Sequence, residues 1–206
     1  MNITIIGAGN VGRALAGAWR KAGHAVTVAV RDPGGAKVVD FKQQGFNLVV
    51  VDGAAKGADV LVLAVPWGAV TETITALGPL DGKIVVDAIN PFTASLDLAL
   101  GFNDSAGETV ARLAKGARVV KAFNTTGAGN MANTQYPGGK LMMAIAGDDA
   151  EAKKTVMGLA SDIGFDPVDA GPIAMSRQLE SLAALWVKLA YAQQQGPNFG
   201  FSILRR

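Results

Sequence analysis

Ile3-Thr4-Ile5-Ile6-Gly7-Ala8-Gly9-Asn10-Val11-Gly12 opens the chain with a short β-favouring run that stops at a glycine-spaced turn. Behind it, Asn10 to Lys21 carries helical periodicity, so the stretch reads as strand, GxGxxG turn and helix, the first half of a βαβ unit. Gly7 permits the sharp turn off the strand, Gly9 lets backbone come close to a ligand, and Gly12 lets the helix pack near the sheet. Unpaired N–H groups at such a helix start favour an anion, here the pyrophosphate of a dinucleotide. The spacing alone is weak, since glycine turns are common; the strand before it and the helix after it give it weight. Gly7, Ala8, Gly9, Asn10, Val11 and Gly12 are the expected pyrophosphate cradle.

Outward from this turn the alternation continues. Strands are expected at Ala25 to Val30, Asn47 to Val51, Val60 to Ala64, Ile84 to Asp87 and Val119 to Phe123, with helical segments between most of them. Continuous apolar strands such as Val60-Leu61-Val62-Leu63-Ala64 belong in a sheet covered on both faces. The expected fold is therefore α/β: a Rossmann-type, doubly wound, mostly parallel sheet with helices on both faces. After Asn124 come a strand at Leu141 to Ala146, a helix from about Asp149 to Ile163, a short strand at Pro167 to Asp169 and a final helix from about Pro172. That tail is too short for a separate substrate domain. Residues 1–125 are read as the dinucleotide-binding core, and residues 126–206 as a strand and helix extension packed into the same domain.

The second strand selects the dinucleotide. An NAD site places an acid near its end to accept from the ribose 2′-hydroxyl; Val30 stands there, followed by Arg31, whose guanidinium can stack on adenine and fork onto a 2′-phosphate. NADP(H) is the expected cofactor. Asp32 either turns inward to a ribose hydroxyl or serves the turn Asp32-Pro33-Gly34-Gly35. Lys37 either adds charge near the phosphate or is a solvated surface lysine. Across the cleft, Ala64, Val65 and Pro66 end the fourth strand and can line ribose and nicotinamide, while Trp67 reads either as a lid or, more simply, as core. Asn90 and Asn124 follow the fifth and sixth strands to one rim, where amides can orient a nicotinamide carboxamide or an acceptor.

Composition narrows the chemistry. The sequence of 206 residues has 19 basic and 17 acidic residues and shows no basic stripe interleaved with aromatics, which argues against nucleic acid. Cysteine is absent and His24 is the single histidine, placed at the far end of the strands from the cleft, so no metal site and no cysteine or histidine chemistry is expected. Asp148 and Asp149 precede a helix and read as N-terminal caps; Arg177 and Glu180 read as an exposed ion pair. No catalytic residue is assigned. No apolar stretch is long enough to span a bilayer and the N-terminal run lacks a basic lead, so a cytoplasmic protein without membrane contact is expected. On the last helix, Leu182, Leu185, Trp186 and Leu189, widened by Leu179, Val187 and Tyr191, form an apolar face suited either to core or to a dimer contact.

These residues resemble the family of NADP-dependent oxidoreductases that includes the NADPH:coenzyme F420 (deazaflavin) oxidoreductase and the oxidoreductase domain of the six-transmembrane metalloreductases. Besides the glycine loop and Arg31, the likeness rests on Val65-Pro66-Trp67, Lys121-Ala122-Phe123-Asn124-Thr125, Ala146-Gly147-Asp148-Asp149, and Asp169-Ala170-Gly171-Pro172 followed by Ser176-Arg177. It implies a homodimer that holds NADPH with its nicotinamide facing a flavin or coenzyme F420 as small-molecule acceptor. The archaeal deazaflavin enzyme is similar but has threonine where Ala8 stands and histidine where Asn124 stands; Lys121, Phe123 and Asn124 are more similar to the metalloreductase branch. The expected function is hydride transfer between NADP(H) and a flavin-type acceptor. Its alternative is a non-enzymatic NADP(H)-binding redox sensor or regulatory subunit; an imine or 3-hydroxyacid reductase ranks last, because the chain has no room for the long helical second domain of such enzymes.

Overall fold

Strand periodicity becomes structure as eight strands: β1 Asn2–Ile6, β2 Ala25–Val30, β3 Asn47–Val50, β4 Val60–Leu63, β5 Ile84–Asp87, β6 Arg118–Lys121, β7 Met142–Gly147 and β8 Asp166–Gly171. The computed structural model describes residues 1–204 and 206. One sheet holds all eight in the order β3-β2-β1-β4-β5-β6-β7-β8. Neighbours from β3 to β6 pair in parallel, β7 pairs antiparallel with β6, and β8 pairs in parallel with β7. The order reverses between β1 and β4, the switch point where a doubly wound sheet opens a ligand crevice at its carboxyl edge.

Helices α1 Asn10–Lys21, α2 Val39–Gln43, α5 Ala128–Ala132 and α6 Ala150–Asp162 supply one apolar layer; α3 Val70–Leu77, α4 Ala106–Leu113 and α7 Ser176–Val187 lie on the other side. Successive side chains of a strand point to opposite faces, so Val60 and Val62 join the α1 layer while Leu61 and Leu63 join the α3 layer. Both layers are apolar, which is why β4 reads as an unbroken run. Trp19 of α1 is fully buried, donates from Nε1 to the Leu159 carbonyl at 2.9 Å, and meets Phe123 edge-on at 5.2 Å.

Local chemistry sets the helix starts. Ser105 caps α4, with Oγ accepting from Glu108 N at 3.1 Å and donating to Glu108 Oε2 at 2.7 Å, while Ser105 N donates to Asp104 Oδ1 at 2.8 Å. Asp149 caps α6 by accepting from Ala152 N at 2.7 Å, but Asp148 does not cap that helix; it accepts from Ile173 N at 2.9 Å and pins the turn that leads into α7.

Two strands end two residues away from the sequence reading. The sixth strand ends at Lys121, not Phe123, because Phe123 adopts φ +59° and turns the chain out of the sheet. The last strand runs from Asp166 to Gly171 because it pairs along β7; Pro167 is tolerated on this edge strand, where a missing N–H costs no ladder bond. No helix among the described residues is long and apolar enough to cross a membrane.

Candidate functional site

Gly7 leaves β1 at φ +115° with its N–H bonded to the Ala29 carbonyl at 2.9 Å. A side chain there would collide with the Ala64 carbonyl oxygen and press on Val65, so the loop and the end of β4 are packed backbone to backbone. At Gly12 an added Cβ would collide with the Gly7 carbonyl, which sets how close α1 approaches the sheet. Gly9 is the contrast: it is exposed, and a Cβ there would meet nothing within 4 Å. Ala8 and Val11 pack on the core while Gly9 and Asn10 face outward. The first turn of α1 has no side-chain cap and no acidic residue, leaving its leading amides free for an anion.

At the end of β2, Arg31 and Asp32 are both exposed. Asp32 is spent on its own turn, its Oδ1 accepting from Gly34 N at 2.9 Å and its carbonyl from Gly35 N at 3.2 Å. Arg31 makes no side-chain hydrogen bond or ion pair with the described residues, and Lys37 is an exposed lysine whose carbonyl accepts from Arg13. Arg13 is a residue the motif reading passed over. Its guanidinium pairs with Asp40 and lies 4.8 Å from the Phe41 ring centroid, tying the 31–38 loop to the start of α1. The signal was its place directly after Gly12.

The opposite rim is built from the ends of β4, β5 and β6. Ala64 N bonds the Ile6 carbonyl at 2.9 Å, Val65 is half-buried, and exposed Pro66 starts a 3₁₀ turn at Trp67–Ala69. Trp67 packs partly buried against the α3 layer. Asn90 and Asn124 come together: Asn90 Nδ2 donates to the Asn124 carbonyl at 2.8 Å, and Asn124 Nδ2 to Asn90 Oδ1 at 3.0 Å. Asn124 is only 3% exposed and its Oδ1 has no partner, an unsatisfied acceptor that a ligand N–H could serve. The left-handed Phe123, held by its N–H on Met143 Sδ at 3.1 Å, is what aims Asn124 at Asn90.

Beneath this rim lies an ionic cluster that spacing did not reveal. Lys121 Nζ sits 2.9 Å from Asp87 Oδ2 and 2.8 Å from Glu180 Oε1, and donates to the Ile89 carbonyl. Glu180 also accepts from Ala106 N at 3.0 Å and Gly107 N at 3.1 Å, the first amides of α4. Burial pushes the Glu180 carboxyl above the ordinary glutamate range, with Lys121 opposing the shift. The reading of Arg177 and Glu180 as an exposed pair is thus corrected. Glu180 is buried on Lys121, and Arg177 forks onto Glu108 at 2.6 and 2.8 Å, holding that carboxyl below its usual range. His24 lies at the other end of the sheet, its Nε2 3.0 Å from Asp162. Two surface cavities, about 340 and 640 Å³, are lined by residues of α3 and α4 and by the amino ends of β1 to β3 respectively, away from this rim.

A bare helix start at a glycine turn, set across a switch point from a paired-amide rim, defines a dinucleotide-binding α/β protein of the doubly wound class. Residues 2–91 match the family model described as NADP oxidoreductase, coenzyme F420-dependent. The fold is similar, at TM-score 0.89 and 34% identity over 98% of this chain and 99% of the other, to an Arthrobacter sp. FB24 protein proposed to be an F420-dependent NADP-reductase. A hypothetical protein from Sinorhizobium meliloti is similar at TM-score 0.78 and 30% identity, over 100% of this chain and 96% of that one. Rat metalloreductase STEAP3 is 29% identical over 180 residues, 87% of this chain; the match spans 36% of that relative's length. The chain belongs to this family of NADP-dependent oxidoreductases.

Proposed function

We propose that this protein binds NADP(H) along the carboxyl edge of β1, β2, β4, β5 and β6 and passes hydride between it and a planar flavin or deazaflavin acceptor, coenzyme F420 being the one named for its relatives. The pyrophosphate fits over Gly7 to Gly12, where Ala8, Asn10 and Val11 complete the loop and the leading amides of α1 have no internal partner. Arg31, without a side-chain hydrogen bond or ion pair among the described residues, and exposed Lys37 suit the 2′-phosphate; Asp32 serves by holding the turn that presents them. Ala64, Val65 and Pro66 flank the ribose and nicotinamide, with Asn90 and Asn124 at the carboxamide. The observation that carries the nicotinamide end is the unpartnered Oδ1 of Asn124, which suits a carboxamide N–H.

When bound, the nicotinamide supplies the hydride. The chain's own part is orientation: its amide pair fixes the ring plane, and the apolar walls at Val65 and Trp67 hold water back from the reacting face. The acceptor approaches this edge from solvent. We further read residues 1–125 as the cofactor core and 126–206 as an extension of the same domain, supported by β7 and β8 lying in the common sheet. The outer face of α7 and of the π-helical turn Lys188–Ala192 that continues it, with Leu185 50% and Tyr191 58% exposed, suits a homodimer contact.

Mixing the purified protein with NADPH and free flavins or deazaflavins, and following nicotinamide absorbance, tests the proposal. Oxidation of NADPH by at least one acceptor is expected. Tight NADPH binding with no turnover by any of them would favour the sensor reading, and no binding would reject both.

A further inference from the structure

Asp87, Lys121 and Glu180 are the most deeply buried charged side chains at this edge, exposed by 0%, 0% and 2%. One ammonium faces two carboxylates. The carboxylate oxygens meet donors: Ile89 N on Asp87 Oδ1, Lys121 Nζ on Asp87 Oδ2 and Glu180 Oε1, Gly107 N on Glu180 Oε1, and Ala106 N on Glu180 Oε2. Each of these oxygens is set to accept, an arrangement that suits two carboxylates facing one ammonium and gives the cluster a net negative charge. The N-terminal amides of α4 offset part of its desolvation cost.

The position of that charge matters. Asp87 and Lys121 are register partners on β5 and β6, each three residues before the asparagine that ends its segment at the rim. Lys121 donates to the carbonyl of Ile89, the residue directly before Asn90. The cluster therefore forms the floor of the Asn90 and Asn124 rim.

Resting on the reading that nicotinamide lies at that rim, we propose that the Asp87, Lys121 and Glu180 cluster is an electrostatic positioning device that makes the site bind oxidised NADP more tightly than NADPH. Loss of hydride removes two electrons and one proton from the reduced ring and leaves it with one positive charge. A fixed negative charge in a partly dehydrated floor favours that product over the neutral reduced ring. The bound couple is thereby a stronger hydride donor than the free couple.

The test is equilibrium binding of NADPH and of NADP⁺, by calorimetry, to the wild-type chain, Glu180→Gln and Asp87→Asn. Either substitution should lower the ratio Kd(NADPH)/Kd(NADP⁺) by about three- to tenfold, from a unit charge removed within about 10 Å; tenfold corresponds to about 30 mV in a two-electron couple. Lost packing would weaken both forms alike and leave the ratio alone. The wild-type ratio should also fall as pH is lowered and Glu180 takes up a proton; the 2′-phosphate is common to both forms and cancels. Asp87 and Lys121 on the strands, Glu108 and Arg177 beside the α4 start, and no histidine face this cluster, so the pH series decides the matter even where a variant does not fold. A ratio constant within twofold across the pH series and in the folded variants overturns the inference while leaving cofactor binding intact. Failure of the wild type to bind either form overturns the underlying reading as well.

Discussion

Gly9→Ala and Gly12→Ala should separate folding from cofactor binding. Gly9 has φ −76° and ψ −175°, a conformation alanine adopts freely, and its Cβ would point into open space. Such a replacement stabilises by about 0.4–1 kcal/mol through the unfolded chain, which raises Tm by about 1–4 °C in a domain of this size. The same methyl stands where the pyrophosphate must approach. Displacing the anion from one charge-assisted amide bond costs about 1.5–3 kcal/mol, and so weakens NADPH by about 10- to 150-fold. At Gly12 the added methyl collides with the Gly7 carbonyl, and the helix must shift, costing about 1–3 kcal/mol. Gly12→Ala should therefore lose both Tm and affinity. Thermal unfolding without cofactor and calorimetry with it read the two effects apart. Wild-type NADPH affinity in Gly9→Ala would refute the placement of the pyrophosphate, and an unchanged Tm in Gly12→Ala would refute the packing argument.

Arg31→Ala should weaken NADPH much more than NADH in the same titration; equal losses would remove the 2′-phosphate assignment. Lys121→Met leaves two buried carboxylates unpaired and should cost about 3–5 kcal/mol in urea unfolding, with part of the loss recovered by adding Glu180→Leu. Arg177→Met frees Glu108, whose folded-state pKa is lowered chiefly by the Arg177 hydrogen bond. A lowered carboxyl contributes stability above its unfolded pKa and loses it as pH falls through the folded value, so the gap between wild type and variant should exist at neutral pH and close in acid. Glu180 has the opposite sign: its raised pKa means that its contribution declines as pH rises from the ordinary glutamate value, and Glu180→Gln should flatten that decline. For the dimer reading, Leu185→Glu should give a monomer in sedimentation if the outer face of α7 pairs two copies; a wild-type monomer would end that reading.

Where β-favouring residues stood between glycine turns, sequence alone located the strands to within a residue or two, because two-sided burial demands unbroken apolar runs. The Asn90 and Asn124 meeting was legible too, since parallel neighbours deliver their next residues to one rim. Lys121 and Glu180 were opaque. Charged side chains are rarely buried unless paired, and their partners lie far off in the chain, so the only local sign was a lysine inside the apolar run Val119-Val120-Lys121-Ala122-Phe123. Spacing also misled at Arg177, whose partner Glu108 is 69 residues away and not the neighbouring Glu180. The positive φ of Phe123 carried no signal, because an aromatic in a strand-like run argues for extended backbone.

Between β3 and β4 the chain crosses through turns at 51–57 in place of a long helix, leaving a groove of about 640 Å³ lined by Thr4, Thr27, Asn47 and Val49 at the outer end of the sheet. Amides along β3 consequently have solvent on two sides, and deuterium should enter that border first. The half of the molecule that would hold adenosine is then the softer foldon, and the half beneath the amide rim the harder one. A dinucleotide lying across both would act as a splint, slowing exchange most at the border farthest from the reacting ring.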